Sequence, residues 1–389
     1  MATKKPSDTL KIALVHDYLR EYGGAERVIE ALHELYPNAP LYTAFFDSKA
    51  LGIHAEKFVG WDIRETWITK LPWYKKLFSP YRIFAPSAFE SLDLSEYDVV
   101  ISSSNAYFAK AVTTTSEIKS ALHLCYCHTP ARSLYGYTTM TDWKRNPLTR
   151  VVGTLINHYL RIVDGYVAER DIHFIANSVE TQRRIAKFYR KDSVVIFPPV
   201  EVPKRSEKEA AALKKRQGGY YLYVGRLAAS KHVDLTVAAC TQLGVPLKVV
   251  GTGKGEEYLR SIAGETITFL GSVSDEKLHK VYADAKALLF PAEDEDFGIV
   301  PIEAMGHGVP VIAHRSGGPQ ETVIEGETGL FFDELSVSGL VSALQKFEQK
   351  ADTFDATTIY KHAWSFRKER FKQEIQSLVA SLVKKAPQG

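Results

Sequence analysis

One pattern occurs twice in this chain: an apolar strand, a glycine turn, then a helix with one apolar face. It opens at Lys11 to Val15, turns at Gly23-Gly24, and enters a helix with Val28, Leu32 and Leu35 on one side. It restarts at Tyr220 to Val224, turns at Gly225-Arg226, and enters a helix over Val233 to Cys240. A strand followed by a helix that packs back over it builds a doubly wound parallel sheet. A restart predicts two Rossmann-like domains, and 389 residues are enough for two cores. Pro198 to Gly219 is the natural boundary. It holds PPVEVP, a charged helix beginning near Ser206 with the capping-box pair Ser206 and Glu209, and then Gln217-Gly218-Gly219. The expected domains are 1–200 and 201–365, with an amphipathic helix in 366–389 that carries Phe371, Ile375, Leu378 and Leu382 in phase.

Further strands are read at Asp98 to Ser102, Ala121 to Cys127, Phe174 to Asn177, Ser193 to Phe197, Leu247 to Val250 and Ile267 to Gly271. Gly251-Thr-Gly253-Lys-Gly255 is GxGxG rather than the GxGxxG of a dinucleotide site. The formal net charge of +3 gives no bulk argument for nucleic acid. Three cysteines make no disulfide framework, and reduced thiols are expected. Cys125, Cys127 and His128 together are a weak metal pattern. The apolar run Ile12 to Val15 is too short for a signal peptide. The nearest approach to a membrane span, Val151 to Ala168, is interrupted by Asn157, His158, Arg161 and Asp164. Arg64 to Pro86 sets Arg64, Lys70, Lys75, Lys76 and Arg82 among Trp67, Leu71, Tyr74 and Phe78. That mixture suits a membrane headgroup region, or equally an amphipathic segment packed on the core.

The chemistry concentrates in Phe290 to Glu321. A strand, Ala287 to Phe290, runs into the acidic loop Glu293-Asp294-Glu295-Asp296. Phe297-Gly298 then opens a short helix with Pro301 at its first position and Ile302 and Met305 facing inward. Gly308 and Pro310 stop it before a strand at Val311 to Ala313. Glu295 stands at the carboxyl end of a strand beside helix-start N–H groups, and Glu303 is expected in the helix's first turn. Ligands of open α/β sheets bind at such places, and acceptors mixed with donors suit a molecule rich in hydroxyls. Arg226 and Lys231 flank another loop at a strand's carboxyl end, where two cations can neutralise a diphosphate. Gly23-Gly24 reads either as turn chemistry or as room for a phosphate or sugar, and His128-Thr129-Pro130 as structural or catalytic.

Glu295-x-Phe297-Gly298, Glu303-Ala304-Met305, Gly308 and Pro310-Val311 resemble the signature of the family 4 glycosyltransferases, retaining enzymes of the GT-B fold. Gly225-Arg226-Leu227 with Lys231 resembles the same family's diphosphate motif, in the right order upstream. His-Asp-Tyr-Leu, Gly-Gly-Ala-Glu-Arg and Cys-His-Thr-Pro resemble bacterial mannosyltransferases of polysaccharide and O-antigen assembly. The resemblance implies two Rossmann-like domains facing across a cleft, the last helix crossing back to the first. It implies that Arg226 and Lys231 hold the donor diphosphate and that Glu303 accepts from the ribose. Glu295, with the Phe297 and Gly298 amides, would hold sugar hydroxyls, and Val273 would border the base. Ser316-Gly317-Gly318 and Glu321 would complete the pocket. Gly23, Gly24 and His128 would lie across the cleft, with His128 near the reacting carbon.

The implied reaction moves a hexose, most often mannose from GDP-mannose, to a glycan or polyprenyl-linked acceptor. Asp294-Glu295-Asp296 is a D-x-D string of the kind that binds a divalent metal in another glycosyltransferase fold. Because Arg226 and Lys231 already supply positive charge, no metal and no other cofactor are expected. The expected location is cytoplasmic, peripheral on the inner face of the membrane. A nucleotide-sugar epimerase and a non-catalytic nucleotide-sugar binding protein are the competing readings.

Overall fold

The computed structural model describes residues 10–114, 120–137, 146–211, 213 and 219–385. Gln217 and Gly218 of the expected linker lie outside these residues. The chain divides into two compact units, with boundaries at Pro199/Val200 and at Lys368/Glu369. The linker helix forms at Glu207–Ala211, and Ser206 and Glu209 cap it reciprocally.

The first unit is a seven-stranded sheet. Its strands are β1 (Ile12–His16), β2 (Leu41–Thr43), β3 (Ile63–Glu65), β4 (Val99–Ser104), β5 (Leu122–Cys127), β6 (His173–Ala176) and β7 (Ser193–Val195). All pairings are parallel, in the order β3-β2-β1-β4-β5-β6-β7. Both faces are apolar, as a parallel sheet covered by helices requires. Ala13, Val15, Val100, Cys125 and Cys127 face one core, and Ile12, Leu14, Val99, Ile101, Leu124 and Tyr126 face the other. The Cys-x-Cys spacing is therefore core packing. Burial pushes the Cys125 thiol up to about 12, so it stays protonated. Among the described residues, no group of three His, Cys, Asp or Glu side chains is placed to hold a metal.

The C-terminal helix, Lys368–Lys385, closes the second of these cores with Phe371, Ile375 and Val379. Phe371 meets Tyr126 edge-on at 5.7 Å, and Arg370 donates to the Phe197 carbonyl at 2.8 Å. The helix begins two residues later than expected because Phe366 is buried in the second unit, against Phe297.

The Arg64 to Pro86 segment is not one helix. It runs through β3, short 3₁₀ turns and a four-residue helix at Phe78–Tyr81. Trp67, Tyr74 and Phe78 pack on the core, while Trp73 and Phe84 stay exposed, so each of the two readings keeps residues in its favour. Arg64 pairs with Asp62, Lys75 with Asp47, and Arg82 bonds Ser133 and Asn157.

The second unit has six parallel strands. They are β8 (Tyr220–Val224), β9 (Leu247–Val250), β10 (Ile267–Gly271), β11 (Ala285–Phe290), β12 (Val311–His314) and β13 (Gly329–Phe332), ordered β10-β9-β8-β11-β12-β13. In each unit the first strand lies between the second and the fourth. The strand order therefore reverses between β1 and β4, and again between β8 and β11. Open α/β sheets bind ligands beyond the carboxyl ends of the strands at such a reversal.

Candidate functional site

The β8/β11 switch point carries the residues that the sequence singled out. Arg226 follows β8 and is exposed, and Lys231 closes the next turn. Glu295 lies in the loop after β11. Lys231 Nζ and a Glu295 carboxylate oxygen form an ion pair, each side chain 21% exposed. An anionic ligand must compete with Glu295 for Lys231, or share it. Tyr223, at the end of β8, donates to the Arg226 carbonyl at 3.1 Å. Burial raises the Tyr223 hydroxyl's pKa, Glu295 raises it further, and Arg226 opposes. The cation of one loop and the carboxylate of the other thus act on the same buried phenol.

Glycines bring these loops together. A Cβ on Gly251 would stand 1.9 Å from the Gly225 carbonyl oxygen, and one on Gly253 would stand 2.4 Å from that of Leu227. The amides of Gly225, Leu227 and Gly255 bond across the same contact at 3.0 Å. The GxGxG is therefore a backbone-to-backbone contact that fixes the Arg226 loop. On the other side, a Cβ on Gly318 would meet the Phe297 backbone at 2.3 Å, and one on Gly317 the Glu295 carbonyl at 2.2 Å. The Gly318 amide donates to the Glu295 carbonyl at 2.7 Å, and the Asp294 amide to Ser316 Oγ at 2.9 Å. Asp294 itself adopts a left-handed φ of 53°, a strained conformation for a non-glycine residue.

The helix after this loop is Ile299–Met305, capped by Gly298 at φ 87°. Two expectations shift here. Pro301 is the third helical residue rather than the first, still among the amides with no intrahelical partner. Glu303 lies one turn in, buried, and accepts a hydrogen bond from the Tyr282 hydroxyl at 2.9 Å. Ile302 and Met305 are fully buried, as their spacing predicts. The Phe297 ring is a core anchor. Val273 sits half-buried in the loop after β10, at the same carboxyl edge.

His128, Gly23 and Gly24 belong to the first unit, at its own switch point. Gly24 begins the helix Gly24–Leu35. Gly23 caps it, and its amide donates to Glu26 Oε2 at 2.8 Å. Glu26 Oε1 faces His16 Nε2 at 3.5 Å. His16 Nδ1 meets Ser103 Oγ at 3.1 Å, and Ser103 Oγ meets His128 Nε2 at 2.8 Å. This buried chain draws on β1, β4, the loop after β5 and the first helix. Ser103 Oγ is thus within hydrogen-bond distance of both imidazoles, while His16 Nε2 and the Glu26 carboxylate stand at ion-pair distance. Burial, with His16 adding, pushes His128 down to about 3, so the ring is neutral at physiological pH. Asp17, the next residue after β1, accepts the amides of Asn105, Tyr107 and Ala109 at 2.8–2.9 Å and so holds the loop after β4.

Residues 204–362 match the family model described as glycosyl transferases group 1. Residues 204–362 are a group 1 glycosyl transferase domain. The chain is similar to an alpha-1,3/1,6-mannosyltransferase (alg-2) of Neurospora crassa, 34% identical over 42% of this chain and 34% of the relative. It is also similar to a GDP-mannose-dependent alpha-mannosyltransferase of Corynebacterium glutamicum, 35% identical over 28% of this chain and 27% of the relative. The chain thus spans about a third, or less, of the length of these curated relatives. Among solved structures, Anabaena HepE in complex with UDP superposes with a TM-score of 0.66 at 18% identity, covering 96% of this chain and all of that one. The fold is GT-B.

The group 1 glycosyl transferase domain contains Gly225, Arg226, Lys231, Val273, Glu295, Phe297, Gly298 and Glu303. His128, Gly23 and Gly24 lie outside the matched residues. Sequence reasoning quoted His16, Asp17 and Glu26 only inside the His-Asp-Tyr-Leu and Gly-Gly-Ala-Glu-Arg motifs and gave them no role, and it did not single out Ser103. The signal that could have found His16, Asp17 and Ser103 is their position at or just beyond strand ends. Ser103→Ala is expected to release His128 from a single tautomer into a mixture, read by ¹⁵N NMR of the imidazole. It should cost about 1–3 kcal/mol of stability, since two ring nitrogens lose a partner, while Ser103→Thr keeps both. An unchanged tautomer would show that the chain of hydrogen bonds does not fix the ring.

Proposed function

We propose that the protein is a retaining glycosyltransferase that moves a hexose from a nucleoside diphosphate sugar to a hydroxyl acceptor. The observation that carries this reading is the β8/β11 switch point, where the Lys231–Glu295 ion pair joins the loops after the two strands and Arg226 lies in the first of them. In this reading Arg226 and Lys231 take the diphosphate, and Glu295 exchanges its Lys231 contact for hydroxyls of the sugar. Glu303, buried against Tyr282, takes the ribose. Breaking the bond to the anomeric carbon builds negative charge on the departing diphosphate, and fixed cations stabilise that charge most in the transition state. With the carbon oxocarbenium-like, the leaving phosphate accepts the acceptor's proton as it attacks from the same face. No step requires a metal, so EDTA should leave turnover unchanged.

GDP-mannose is the proposed donor, because both mannosyl-transferring relatives share the domain and one is named for that nucleotide sugar. The HepE structure holds UDP, so the base is the least supported part. The proposed acceptor is a glycan or polyprenyl-linked hydroxyl, with His128 serving the acceptor half of the reaction. A thermal-shift screen against GDP-, UDP- and ADP-sugars tests the donor. A ligand at 100 times its dissociation constant should add about 2.7 kcal/mol of stability. GDP-mannose should give the largest shift, and no shift with any of the three would refute donor binding. Conversion of the sugar nucleotide with no acceptor present would favour an epimerase instead.

A further inference from the structure

The helix Pro147–Glu169 is built inside out along part of its length. Its polar residues Asn157 and Asp164 point inward and are buried, Asn157 bound by Arg82 and Asp164 by Lys110. Its apolar residues Val151, Leu155, Tyr159, Ile162 and Tyr166 recur at spacings of three and four and point outward. Leu155, Ile162 and Tyr166 are 66%, 63% and 66% exposed. At 23 residues the helix is about 34 Å long. Yet no helix among the described residues is long and apolar enough to cross a membrane. A soluble monomer seldom leaves so long an apolar stripe without a partner.

The charge around the stripe selects that partner. Among the described residues, the exposed side of this helix carries Arg150, His158 and Arg161 and no carboxylate before Glu169. The Arg82–Asn157 bond ties it to the preceding segment, which adds exposed Trp73 and Phe84, together with Lys70 and Lys76. Aromatic and aliphatic side chains edged by cations match the interface of an anionic bilayer. Two copies packed face to face would set basic residue against basic residue with no acid between them. We propose that the exposed face of Pro147–Glu169 lies on an anionic lipid surface, with the helix axis in the membrane plane. This goes beyond the transfer reaction and stands on different residues.

Co-sedimentation with vesicles tests it. The full chain should pellet with phosphatidylglycerol vesicles at least about tenfold more tightly than with phosphatidylcholine vesicles, because each nearby cation adds to the attraction. Leu155→Asp combined with Ile162→Asp should abolish pelleting. Both side chains are exposed, so melting temperature and donor binding should stay unchanged. Three results would overturn the proposal: no pelleting with phosphatidylglycerol, pelleting undiminished in the double variant, or a lipid-free dimer that the double variant dissociates.

Discussion

Replacing Lys231 with alanine is expected to lower kcat/KM for the nucleotide sugar by about a hundredfold. One charge-assisted contact to the diphosphate is worth about 1.5–3 kcal/mol, or roughly tenfold to 150-fold. The loss should lie toward the upper end because Glu295, now paired with Lys231, would face the phosphates unpaired. Since charge grows on the leaving group, kcat should fall with kcat/KM rather than KM alone rising. Glu295→Gln removes the opposing charge, so Lys231→Ala should cost less in that background. A double-mutant cycle should return a coupling of about 0.5–3 kcal/mol. Strictly additive effects would mean that the ion pair is incidental to donor handling.

The second large effect concerns stability. Lys110 and Asp164 are both fully buried in the first unit. Lys110 Nζ donates to Asp164 and, at 2.9 Å, to the Tyr189 hydroxyl. Tyr135 donates to the other Asp164 oxygen at 2.8 Å. Burial works against the Lys110 charge, but Asp164 outweighs it and the ammonium's pKa is raised. Asp164→Ala therefore leaves a buried cation without its counter-charge and should cost about 3–5 kcal/mol. For a unit of this size that is a fall in Tm of roughly 10 °C. Replacing both residues with apolar ones of similar volume should cost far less, since the desolvation penalty goes with the charges. A loss below about 1 kcal/mol for Asp164→Ala would show that the pair contributes little. Urea unfolding followed by circular dichroism gives either answer.

The central strands were legible because a parallel sheet buried on both faces writes itself as short continuous apolar runs, as in Ile12 to Val15 and Leu247 to Val250. Three strands were not read. β2 is three residues long, and β3 is an edge strand with Arg64 and Glu65 exposed. β13 opens on Gly329, a poor strand former, whose Cβ would collide with the Val311 carbonyl at 2.1 Å. The cations and carboxylates of the second unit were legible because each sits in a compact motif at a strand end. Their pairing was not, since it depends on two glycine contacts between loops distant in sequence. The Glu26–His16–Ser103–His128 chain was invisible for a similar reason, because its members meet only once β1, β4 and β5 lie side by side. In the Pro147–Glu169 helix the interruptions argued against a membrane span, and no described helix is long and apolar enough to be one; what the sequence did not show is that Asn157 and Asp164 face the core and leave apolar residues outside.

The most direct test of the account is a crystal structure with GDP-mannose, or with whichever sugar nucleotide gives the largest thermal shift. The account predicts the diphosphate at the carboxyl ends of β8 and β11, its oxygens about 2.8 Å from the Arg226 and Lys231 nitrogens, with Glu295 turned from Lys231 to the sugar. A diphosphate bound elsewhere, with the Lys231–Glu295 pair undisturbed, would contradict it.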